Sequence, residues 1–519
     1  MRNTNNSRGS ALPLREIRQA EGRSRRRRSR FAPMHRRVSR AIMVTCIAGG
    51  TIAAAGAASA VTGASTYDPA TDSFSMTAVT QRTGVTGWWN AGYTGSGVDV
   101  AVIDTGVSPV AGLNGLGKIV YGPDLSLESQ APNLRNLDTN GHGTFMAGII
   151  AGKDSTLTSP YASAPASAYR GIAPDARILS VKVGTADGGT DVSQVIAAIN
   201  WVVQHKNDDG MNIRVLNLSY GTNSTQSSAI DPLSYAVEQA WKKGIVVVAA
   251  AGNSGFQNER GLANPASNRF VIAVGGFDTM GTVTLADDQL GTYSAGIASS
   301  SQRGPDFSAV GSHVQGLRVP NSFLDASHPE GRRGTRYFAG SGTSQAAAIT
   351  SGAAALILQK YPTLTPDRVK RFIATNLDPA TGFDPDPDYW GAGKLSLTKL
   401  STATPANYTQ SFAAAAGTGS LEAARGTDHV TTGGVTLTGE KDIFGKPFIS
   451  ATVASSTAAG TSWIGGLWNG SSWSGSTWSG SSWSGSTWSG STWSGSTWSG
   501  SSWSGSTWSG STWSGGTWS

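Results

Sequence analysis

Short runs of apolar residues recur along the middle of the chain, and each ends at a Gly, Asp or Ser that can turn the backbone. The runs are continuous rather than alternating, which is typical of strands buried on both faces of a parallel sheet. The pattern therefore predicts strands at residues 98–103, 178–183, 213–218, 245–250 and 270–274.

The segments between these runs carry apolar residues at helical spacing. Residues 191–206 have Val and Ile along one face, with Thr190 or Asp191 as the N-cap, and similar patterns predict helices over 231–243, 343–359 and 365–377. Alternating strands and helices indicate an α/β fold, an open and mostly parallel sheet with helices on both faces, over residues 86–400. Reactive groups in such sheets gather at the carboxyl ends of the strands.

The composition shows that this domain is only part of the chain. The 519 residues include 67 Gly and only 14% charged residues, so low-complexity sequence dilutes a globular region. The net charge of +7 is concentrated in residues 1–40, where 13 Arg and two acids leave 27 basic and 31 acidic residues for the rest. A basic arm can contact nucleic-acid phosphates, but the segment that follows it indicates targeting instead. We therefore expect no nucleic-acid partner.

Residues 41–60 form an uncharged apolar stretch that ends in the small-residue triplet Ala-Ser-Ala. After a basic arm, this is typical of a signal peptide and predicts a secreted, extracellular protein. An uncleaved membrane anchor is the alternative, although Ala and Gly make the stretch weakly hydrophobic. Arg36 and Arg37 suggest twin-arginine export, and the route stays open. Cys46 is the only cysteine, so a cleaved chain could form no disulfide and no Cys-ligated metal site.

The sequence divides into five parts. These are residues 1–60 as the basic arm and signal peptide or anchor, 61–85 as a linker, 86–400 as the α/β domain, 401–460 as a linker rich in Ala, Gly, Ser and Thr with short strands, and 461–519 as a repeat tail.

In the repeat tail, Trp recurs at every fifth position from 463 to 518, mostly within W-S-G-S-T or W-S-G-S-S. An odd period puts successive Trp side chains on opposite faces of a strand and scatters them around a helix. Two interpretations stay open: a solenoid that buries the indoles in layers, and a disordered segment rich in Gly and Ser.

Three polar residues at predicted strand ends or helix starts are candidates for a nucleophilic triad. Asp104 follows the first strand in VIDTGV, where an Asp is usually a turn or cap residue. His142 lies between two glycines in NGHGTFMAG, which leaves room beside the imidazole. Ser344 begins a helix in GSGTSQAAA, where it could be a plain N-cap. The same position also directs helix N–H groups at any oxyanion formed beside the hydroxyl.

A serine hydroxyl needs such partners to react at neutral pH. A neutral imidazole must accept its proton, and a carboxylate must hold the imidazole in the correct tautomer. The tetrahedral oxyanion needs a further donor, which the side-chain amide of Asn253 can supply from AAAGNSG, after a buried strand.

The order Asp, His, Asn, Ser in these four motifs resembles the subtilisin-like serine proteases, or subtilases. Asp104 and His142 are 38 residues apart, and His142 and Ser344 are 202 apart. The resemblance covers about residues 86–400. Supporting matches are GIAPDARILSVKV, NLSYG and WGAGKLSL, which begin at positions 171, 217 and 390.

The resemblance implies endopeptidase cleavage through an acyl-enzyme. Ser344 would attack the scissile carbonyl, His142 would shuttle the proton, and Asp104 would orient and stabilise the imidazolium. Asn253 and the backbone N–H of Ser344 would form the oxyanion hole.

The resemblance also implies where the substrate binds. An extended peptide would pair with the chain as an added strand, and small residues would line an open, apolar first specificity pocket. We therefore expect a preference for bulky apolar or aromatic side chains before the scissile bond. The pairing edge consists of Ser219, Tyr220 and Gly221, and the pocket wall of Ala250, Ala251 and Gly252.

The chain departs from the family pattern in three places. Phe145 stands where a second His is common, and residues 345–348 replace the usual run that contains a Pro. Only about 25 residues separate position 60 from the catalytic domain, too few for the folded pro-domain of many secreted relatives. Family members often bind Ca²⁺, but no dense D-x-D-x-D-G loop occurs here. We assign no metal ligand and no cofactor, and structural Ca²⁺ is implied by analogy alone.

Two functions are compatible with the sequence. The first is an exported serine endopeptidase, acting on protein or peptide substrates, with a Trp-repeat appendage. The alternative is a cell-surface or polysaccharide-binding protein with a latent protease-like domain. Exposed indoles can stack on sugar rings, so cell-wall or extracellular polysaccharide is a candidate partner of the tail.

Overall fold

The computed structural model describes residues 67–255, 261–297, 302–382, 385–432 and 435–473. The strands, in chain order, are β1 (Asp99–Asp104), β2 (Ile119–Asp124), β3 (Arg177–Lys182), β4 (Ile213–Leu218), β5 (Val246–Ala250), β6 (Ile272–Asp278), β7 (Gln289–Leu290), β8 (Phe307–Val310), β9 (Val314–Leu317), β10 (Arg332–Arg333), β11 (Tyr337–Gly340), β12 (Leu377–Asp378), β13 (Lys394–Leu395), β14 (Thr431–Thr432), β15 (Val435–Thr436), β16 (Trp463–Ile464), β17 (Leu467–Trp468) and β18 (Ser471–Ser472).

The α-helices follow the same convention. They are α1 (Met76–Thr83), α2 (Thr86–Asn90), α3 (His142–Ala151), α4 (Val192–Gln204), α5 (Pro232–Lys242), α6 (Phe323–Ser327), α7 (Thr343–Lys360), α8 (Pro366–Ala374), α9 (Pro387–Trp390), α10 (Leu397–Thr402), α11 (Leu421–Arg425) and α12 (Ser450–Ala459).

A ten-stranded sheet forms the centre of the molecule, in the order β12-β13-β8-β6-β5-β4-β1-β3-β2, with β7 beside β6. From β13 to β2 neighbouring strands run parallel, while β12 and β7 pair antiparallel. The predicted α/β class and mostly parallel sheet are therefore confirmed.

The five predicted strands correspond to β1, β3, β4, β5 and β6, with ends shifted by four residues at most. Every residue of β1 and β5 is buried, as expected for strands covered on both faces. Helix α4 begins at Asp191, whose carboxylate accepts from Ser193 N, while Gln194 closes a capping box. Of the two residues predicted as possible N-caps, Thr190 and Asp191, the structure has Asp191 at the cap.

The strand order changes direction at β1. The chain places β3 and β2 on one side of β1 and β4, β5 and β6 on the other. In open α/β sheets, the loops at such a switch point part and leave a crevice at the carboxyl ends of the strands, where ligands bind. Helices α3 and α7 pack together, and α4 and α5 form a second packed pair.

The segment before the sheet is more ordered than a linker. Helix α1 lies within residues 61–85, and Met76 and Val79 are buried in the core. The indoles of Trp88 and Trp89 are also buried, and they donate to the carbonyls of Leu397 at 2.8 Å and Ile172 at 3.1 Å. The structure differs here from the linker interpretation because apolar side chains at helical spacing find a core to cover.

The segment after the sheet also differs from a linker. Helix α11 contacts α4 and α5, helix α12 contacts α5, and β16 contacts α4. Buried apolar residues of this segment join the main core, namely Leu421, Ala424, Val430, Leu437, Ile443, Phe444, Phe448 and Val453. The predicted short strands occur as β14 and β15.

The first Trp repeats form an antiparallel ladder of β16, β17 and β18 in which Trp463 pairs with Trp468. Gly465 and Gly466 make one two-residue turn, and Asn469 and Gly470 make the next, all with positive φ. Each turn takes up two residues, so Trp463 and Trp468 lie opposite each other and their indoles share one face of the ladder. The later repeats lie outside the described residues.

The basic arm and the signal peptide or anchor also lie outside the described residues. Within the described ranges, no helix is both long enough and apolar enough to cross a membrane.

Candidate active site

His142 and Asp104 meet at the carboxyl end of β1. The imidazole Nδ1 lies 2.8 Å from Asp104 Oδ1 and 3.0 Å from Oδ2, and both side chains are buried. A carboxylate accepts hydrogen bonds, so this contact favours the tautomer with a proton on Nδ1 and directs Nε2 away from Asp104. This is the orientation that a general base requires.

The backbone around the pair fixes this contact. Thr105 N donates to Asp104 Oδ1 at 2.7 Å, and Gly143 N donates to Thr105 Oγ1 at 2.9 Å. A Cβ at Gly143 would overlap the carbonyl oxygen of Gly106 and lie 3.1 Å from Asp104 Oδ1. Glycine is therefore required here so that α3 can approach β1 closely.

Asp138 holds the loop that carries His142. Its Oδ1 accepts from Gly141 N at 2.7 Å and from Thr105 Oγ1 at 2.8 Å, while its Oδ2 accepts from Thr144 N at 2.7 Å. Burial raises the pKa of the Asp138 carboxyl, and the hydrogen bonds from Gly141 and Thr144 oppose that rise.

Lys182 supplies the positive charge behind this loop. Its buried ammonium lies 3.0 Å from Glu128 Oε2 and donates to Thr105 O at 2.7 Å. Burial alone would lower the pKa of Lys182, but the nearby charges of Glu128, Asp124 and Asp138 outweigh it and raise that pKa. The ammonium therefore stays charged, and its hydrogen bond to the Thr105 carbonyl holds the residue next to Asp104 in place.

Ser344 is the second residue of α7 and is buried. Its carbonyl accepts from Ser219 Oγ, just past the end of β4, at 3.4 Å. Helix α7 packs along α3, since a Cβ at Gly352 would lie 3.3 Å from the carbonyl oxygen of Ile150. Gly352 lies eight residues after Ser344, and Ile150 lies eight residues after His142. Both helices begin at the carboxyl edge of the sheet, and His142 and Ser344 each lie in the first turn of their helix.

Asn253 reaches the start of α7 through its side chain. Its Oδ1 accepts from both Thr343 N and Thr343 Oγ1 at 2.8 Å. Because these partners donate, the amide oxygen must face the helix and the NH₂ group must face away from it. That NH₂ group is 3.0 Å from the position of a Cβ on Gly342, two residues before Ser344. Both residues are buried, with Asn253 8% exposed and Ser344 1% exposed.

The predicted substrate residues surround a single side chain, Ala263. Its methyl group would lie 2.6 Å from a Cβ on Gly221 and 3.2 Å from a Cβ on Gly252. Next to this contact, Thr222 and Asn264 pair antiparallel through hydrogen bonds of 2.9 and 3.0 Å. Ser219, Tyr220, Ala250 and Ala251 are buried beside them. The predicted edge and pocket wall thus lie on either side of Ala263, a residue that the motifs did not indicate.

A family model described as the subtilase family matches residues 95–437. The match covers more than half of the chain and includes all four motifs. The chain belongs to the subtilase family. The family match ends at residue 437, beyond the boundary at 400 that the sequence pattern predicts, and it includes helix α11 and the first small strands after it.

Curated relatives agree with this assignment. The subtilase is similar to serine protease AprX of Bacillus subtilis strain 168, with 37% identity over 307 residues that are 58% of this chain and 66% of that protein. It is similar to subtilisin DY of Bacillus licheniformis, with 33% identity over 311 residues that are 59% of this chain and 91% of that protein. These similarities place the chain among the serine-type endopeptidases.

A solved structure, the crystal structure of a cold adapted subtilisin-like serine proteinase, matches with a TM-score of 0.43 and 27% identity. It covers 59% of this chain and 90% of that chain.

The departures from the subtilase pattern have structural counterparts. The Phe145 ring fills the space beside Gly316 of β9, where a Cβ would lie 2.7 Å from the ring. Residues 345–348 are buried inside α7. Among the described residues, no group of three or more His, Cys, Asp or Glu side chains is arranged to hold a metal ion.

Sequence reasoning missed several residues that hold the site of this subtilase. Asp138 lies four residues before His142 and two before the first residue of the quoted motif, so its proximity in the chain was a signal. Lys182 lies in the supporting match that begins at position 171, but nothing in that match indicates its contact with the site. Glu128 and Ala263 had no signal, because only tertiary contacts bring them beside the site.

Proposed function

We propose that this subtilase hydrolyses peptide bonds through a triad of Ser344, His142 and Asp104 and an acyl-enzyme intermediate. The observation that carries the proposal is the bond between His142 Nδ1 and buried Asp104, at the edge of the sheet where α7 begins and carries Ser344 as its second residue. Asn253 supports it, because its amide oxygen is occupied by Thr343 and its NH₂ group is directed elsewhere.

In the proposed mechanism, His142 Nε2 accepts the proton of the Ser344 hydroxyl as the oxygen attacks the scissile carbonyl. The resulting oxyanion accepts from the Asn253 amide and from the backbone N–H of Ser344. His142 then donates the proton to the leaving amine, and a water molecule hydrolyses the ester by the same route in reverse. Asp104 stabilises the imidazolium during both steps.

A fluorophosphonate probe tests this proposal, because it labels only an activated serine. We expect wild-type chain to be labelled and Ser344→Ala to lose both the label and peptidase activity. The loss of turnover should be about 10⁶, the size known for the triad serine of subtilisin, a member of the same family. Ser341→Ala is the matched control, since Ser341 lies in the same turn and accepts from His313 N. Its label should persist.

The same probe separates the protease from the alternative of a latent protease-like domain in a binding protein. Absence of label on folded wild-type chain would favour the latent domain. Label on Ser344→Ala at the wild-type level would contradict the triad.

We also propose that the edge of Ser219, Tyr220 and Gly221 pairs with an extended substrate, and that Ala250, Ala251 and Gly252 line the pocket for the residue before the cut. Small side chains on this wall favour bulky apolar or aromatic substrate residues. A peptide library should show such residues at this position. Strict cleavage after Lys or Arg would contradict the pocket assignment.

Export to the extracellular side is a further part of the proposal, and it rests on the sequence of residues 1–60. Sequencing the N-terminus of protein collected from the medium tests it directly. A start near Val61 supports a cleaved signal peptide, whereas a start near Met1 on membrane-bound protein supports the anchor.

For the repeat tail we propose contact with cell-wall or extracellular polysaccharide. The indoles of Trp463, Trp468 and Trp473 are buried against the protein, so the binding repeats would begin after Trp473. Sedimentation of full-length chain with insoluble polysaccharide, compared with a chain ending at Trp473, tests this. Equal sedimentation of the two chains would contradict it.

A further inference from the structure

Arg425, the last residue of α11, is buried completely, and acceptors surround its guanidinium. Nε donates to Asp191 Oδ2 at 2.6 Å and Nη2 to Asp191 Oδ1 at 3.3 Å. Nη1 donates to Glu422 Oε2 at 3.1 Å and to the Gly439 carbonyl at 2.7 Å, and Nη2 also donates to the Lys441 carbonyl. A buried charge with every donor used is an anchor rather than a solvated surface residue.

The partner of Arg425 connects it to one wall of the crevice. Asp191 caps α4 and ends the loop 184–190, which leaves the carboxyl end of β3. Ala186 in this loop accepts from Asn140 Nδ2 through its carbonyl at 2.7 Å, and its N donates to Glu128 Oε1 at 2.8 Å. Asn140 lies two residues before His142. Arg425 therefore holds the base of a loop that touches the His142 loop.

The other side of α11 contacts the opposite wall. Thr222, directly after the Ser219–Gly221 edge, donates from Oγ1 to the Ala424 carbonyl at 2.6 Å. Thr225 N donates to the Ala423 carbonyl at 2.9 Å, and Asn223 N donates to Asp428 Oδ2 at 3.2 Å. A Cβ on Gly426 would overlap the Asn223 carbonyl, so the two segments are in close contact.

We propose that Arg425 is a positioning residue that fixes the spacing between the two walls of the substrate crevice. Helix α11 lies between the loop 184–190 and residues 222–226, and these segments continue from β3 and β4, the two neighbours of β1. The ion pair with Asp191 locks α11 to the first wall, and the Thr222 and Thr225 contacts lock it to the second. The inference rests on the proposed peptidase function of the same crevice.

Substrates of different length distinguish a positioning role of Arg425 from a general effect on the stability of the protein. A substrate with four residues before the scissile bond would use both walls, whereas a single-residue ester or a fluorophosphonate uses Ser344 and its neighbours alone. Loss of Arg425 should therefore weaken binding of the long substrate and spare the chemistry at Ser344.

The experiment compares full-length wild type, Arg425→Met and Arg425→Lys with both substrates. For Arg425→Met we expect KM of the long peptide to rise about tenfold, which corresponds to about 1.4 kcal/mol. The kcat of that peptide, the kinetics of the ester and the labelling rate should stay unchanged. Arg425→Lys should restore part of the affinity, because it keeps the charge and loses the two-pronged geometry.

Arg177→Met is the matched control. Arg177 forms a two-pronged pair with Asp99, with both distances 2.6 Å, at the amino end of β1 and so at the opposite edge of the sheet. The Arg177 side chain is 39% exposed, whereas that of Arg425 is fully buried, so Arg177→Met removes a two-pronged pair of similar geometry from a more exposed position. KM for the long peptide should not change. An equal rise in KM for both Met variants would overturn the proposal.

Hydrogen exchange gives a second readout that does not depend on activity. Amide exchange within residues 184–190 and 219–226 should accelerate in Arg425→Met and in Arg425→Lys but not in Arg177→Met. Unchanged exchange in both segments, or unchanged KM in folded Arg425→Lys, would overturn the positioning role. If the wild-type chain is not labelled by the fluorophosphonate but the variants show the expected exchange pattern, the proposed peptidase function is contradicted. The spacing role of Arg425 would still be supported. If Arg425→Met fails to fold, Arg425→Lys decides the outcome.

Discussion

At the scale of single residues, the function of Asn253 depends on which way its amide faces. The motif predicts an amide after a buried strand, but an Asn in a turn can present either oxygen or nitrogen. The contacts from Thr343 N and Thr343 Oγ1 decide this, because two donors on the helix require the oxygen. The NH₂ group is the part of the amide that the proposed mechanism assigns to the oxyanion.

Asn253→Ala should therefore lower kcat by about 10² to 10³ with little change in KM, a magnitude known for the corresponding donor of subtilisin. Steady-state kinetics on a peptide substrate measure both constants. Asn253→Asp is the informative control, since it keeps the acceptor for Thr343 but replaces the donor by a negative charge. Its kcat should be no higher than that of the Ala variant, and wild-type kcat in either would contradict the assigned donor.

At the scale of elements, helix α3 has to approach β1 closely enough for His142 to reach Asp104. Gly143 makes this approach possible, because a side chain there would meet the Gly106 carbonyl and Asp104. From the sequence alone, the glycines on either side of His142 predict room beside the imidazole. The structure assigns the second of them to packing of the helix on the strand.

Gly143→Ala should push α3 away from β1, and a displacement of about 1 Å can cost about 10² in kcat/KM. Gly87→Ala is a matched control, because Gly87 is also the second residue of its helix and a Cβ there would have no heavy atom within 4 Å. That variant should gain about 0.5–1 kcal/mol of stability and keep its activity. Equal activity of the two variants would contradict the close-approach argument.

At the scale of the whole molecule, the segment after residue 402 is part of the folded unit. Asp442 is buried within it and accepts from Phe444 N at 2.9 Å, Lys446 N at 3.0 Å and Asn469 Nδ2 at 2.7 Å. Through Asn469, this carboxyl ties the first Trp ladder to the segment that covers α4. Burial raises the pKa of Asp442 from 3.8 to about 6, and the hydrogen bonds offset only part of that rise.

This pKa predicts the pH dependence of stability. The folded chain binds the Asp442 proton more tightly than the unfolded chain, so the contribution to the free energy of unfolding is complete below about pH 3.8 and lost as pH rises through about 6. The change should amount to about 3 kcal/mol, at 1.36 kcal/mol per tenfold change in proton affinity. Urea unfolding of wild type and Asp442→Asn from pH 4 to 8 measures it.

The difference between the two unfolding free energies should shift between pH 4 and 6 and stay constant above pH 7. Other carboxyls titrate in both proteins, so they cancel in this difference. A difference that does not depend on pH would contradict the raised pKa of Asp442.

The sequence by itself determined the sheet and the motifs. Short continuous apolar runs that end in turn residues are typical of interior strands, and the Asp191 cap and the four motifs are local patterns that need no partner to be recognised. The sequence did not predict that the linkers and the first repeats are ordered, because this depends on whether they pack against another surface of the protein. Helix α1, helix α11 and the ladder of Trp463 and Trp468 are ordered by contacts with residues far away in the chain.

The tertiary structure alone decided which groups meet. It brought Lys182 behind Asp104, Ala263 between Gly221 and Gly252, and Arg425 onto Asp191, and no spacing rule in the sequence gives these distances. The physical reason is that charge pairing and close packing act through space, whereas a motif records only neighbours along the chain.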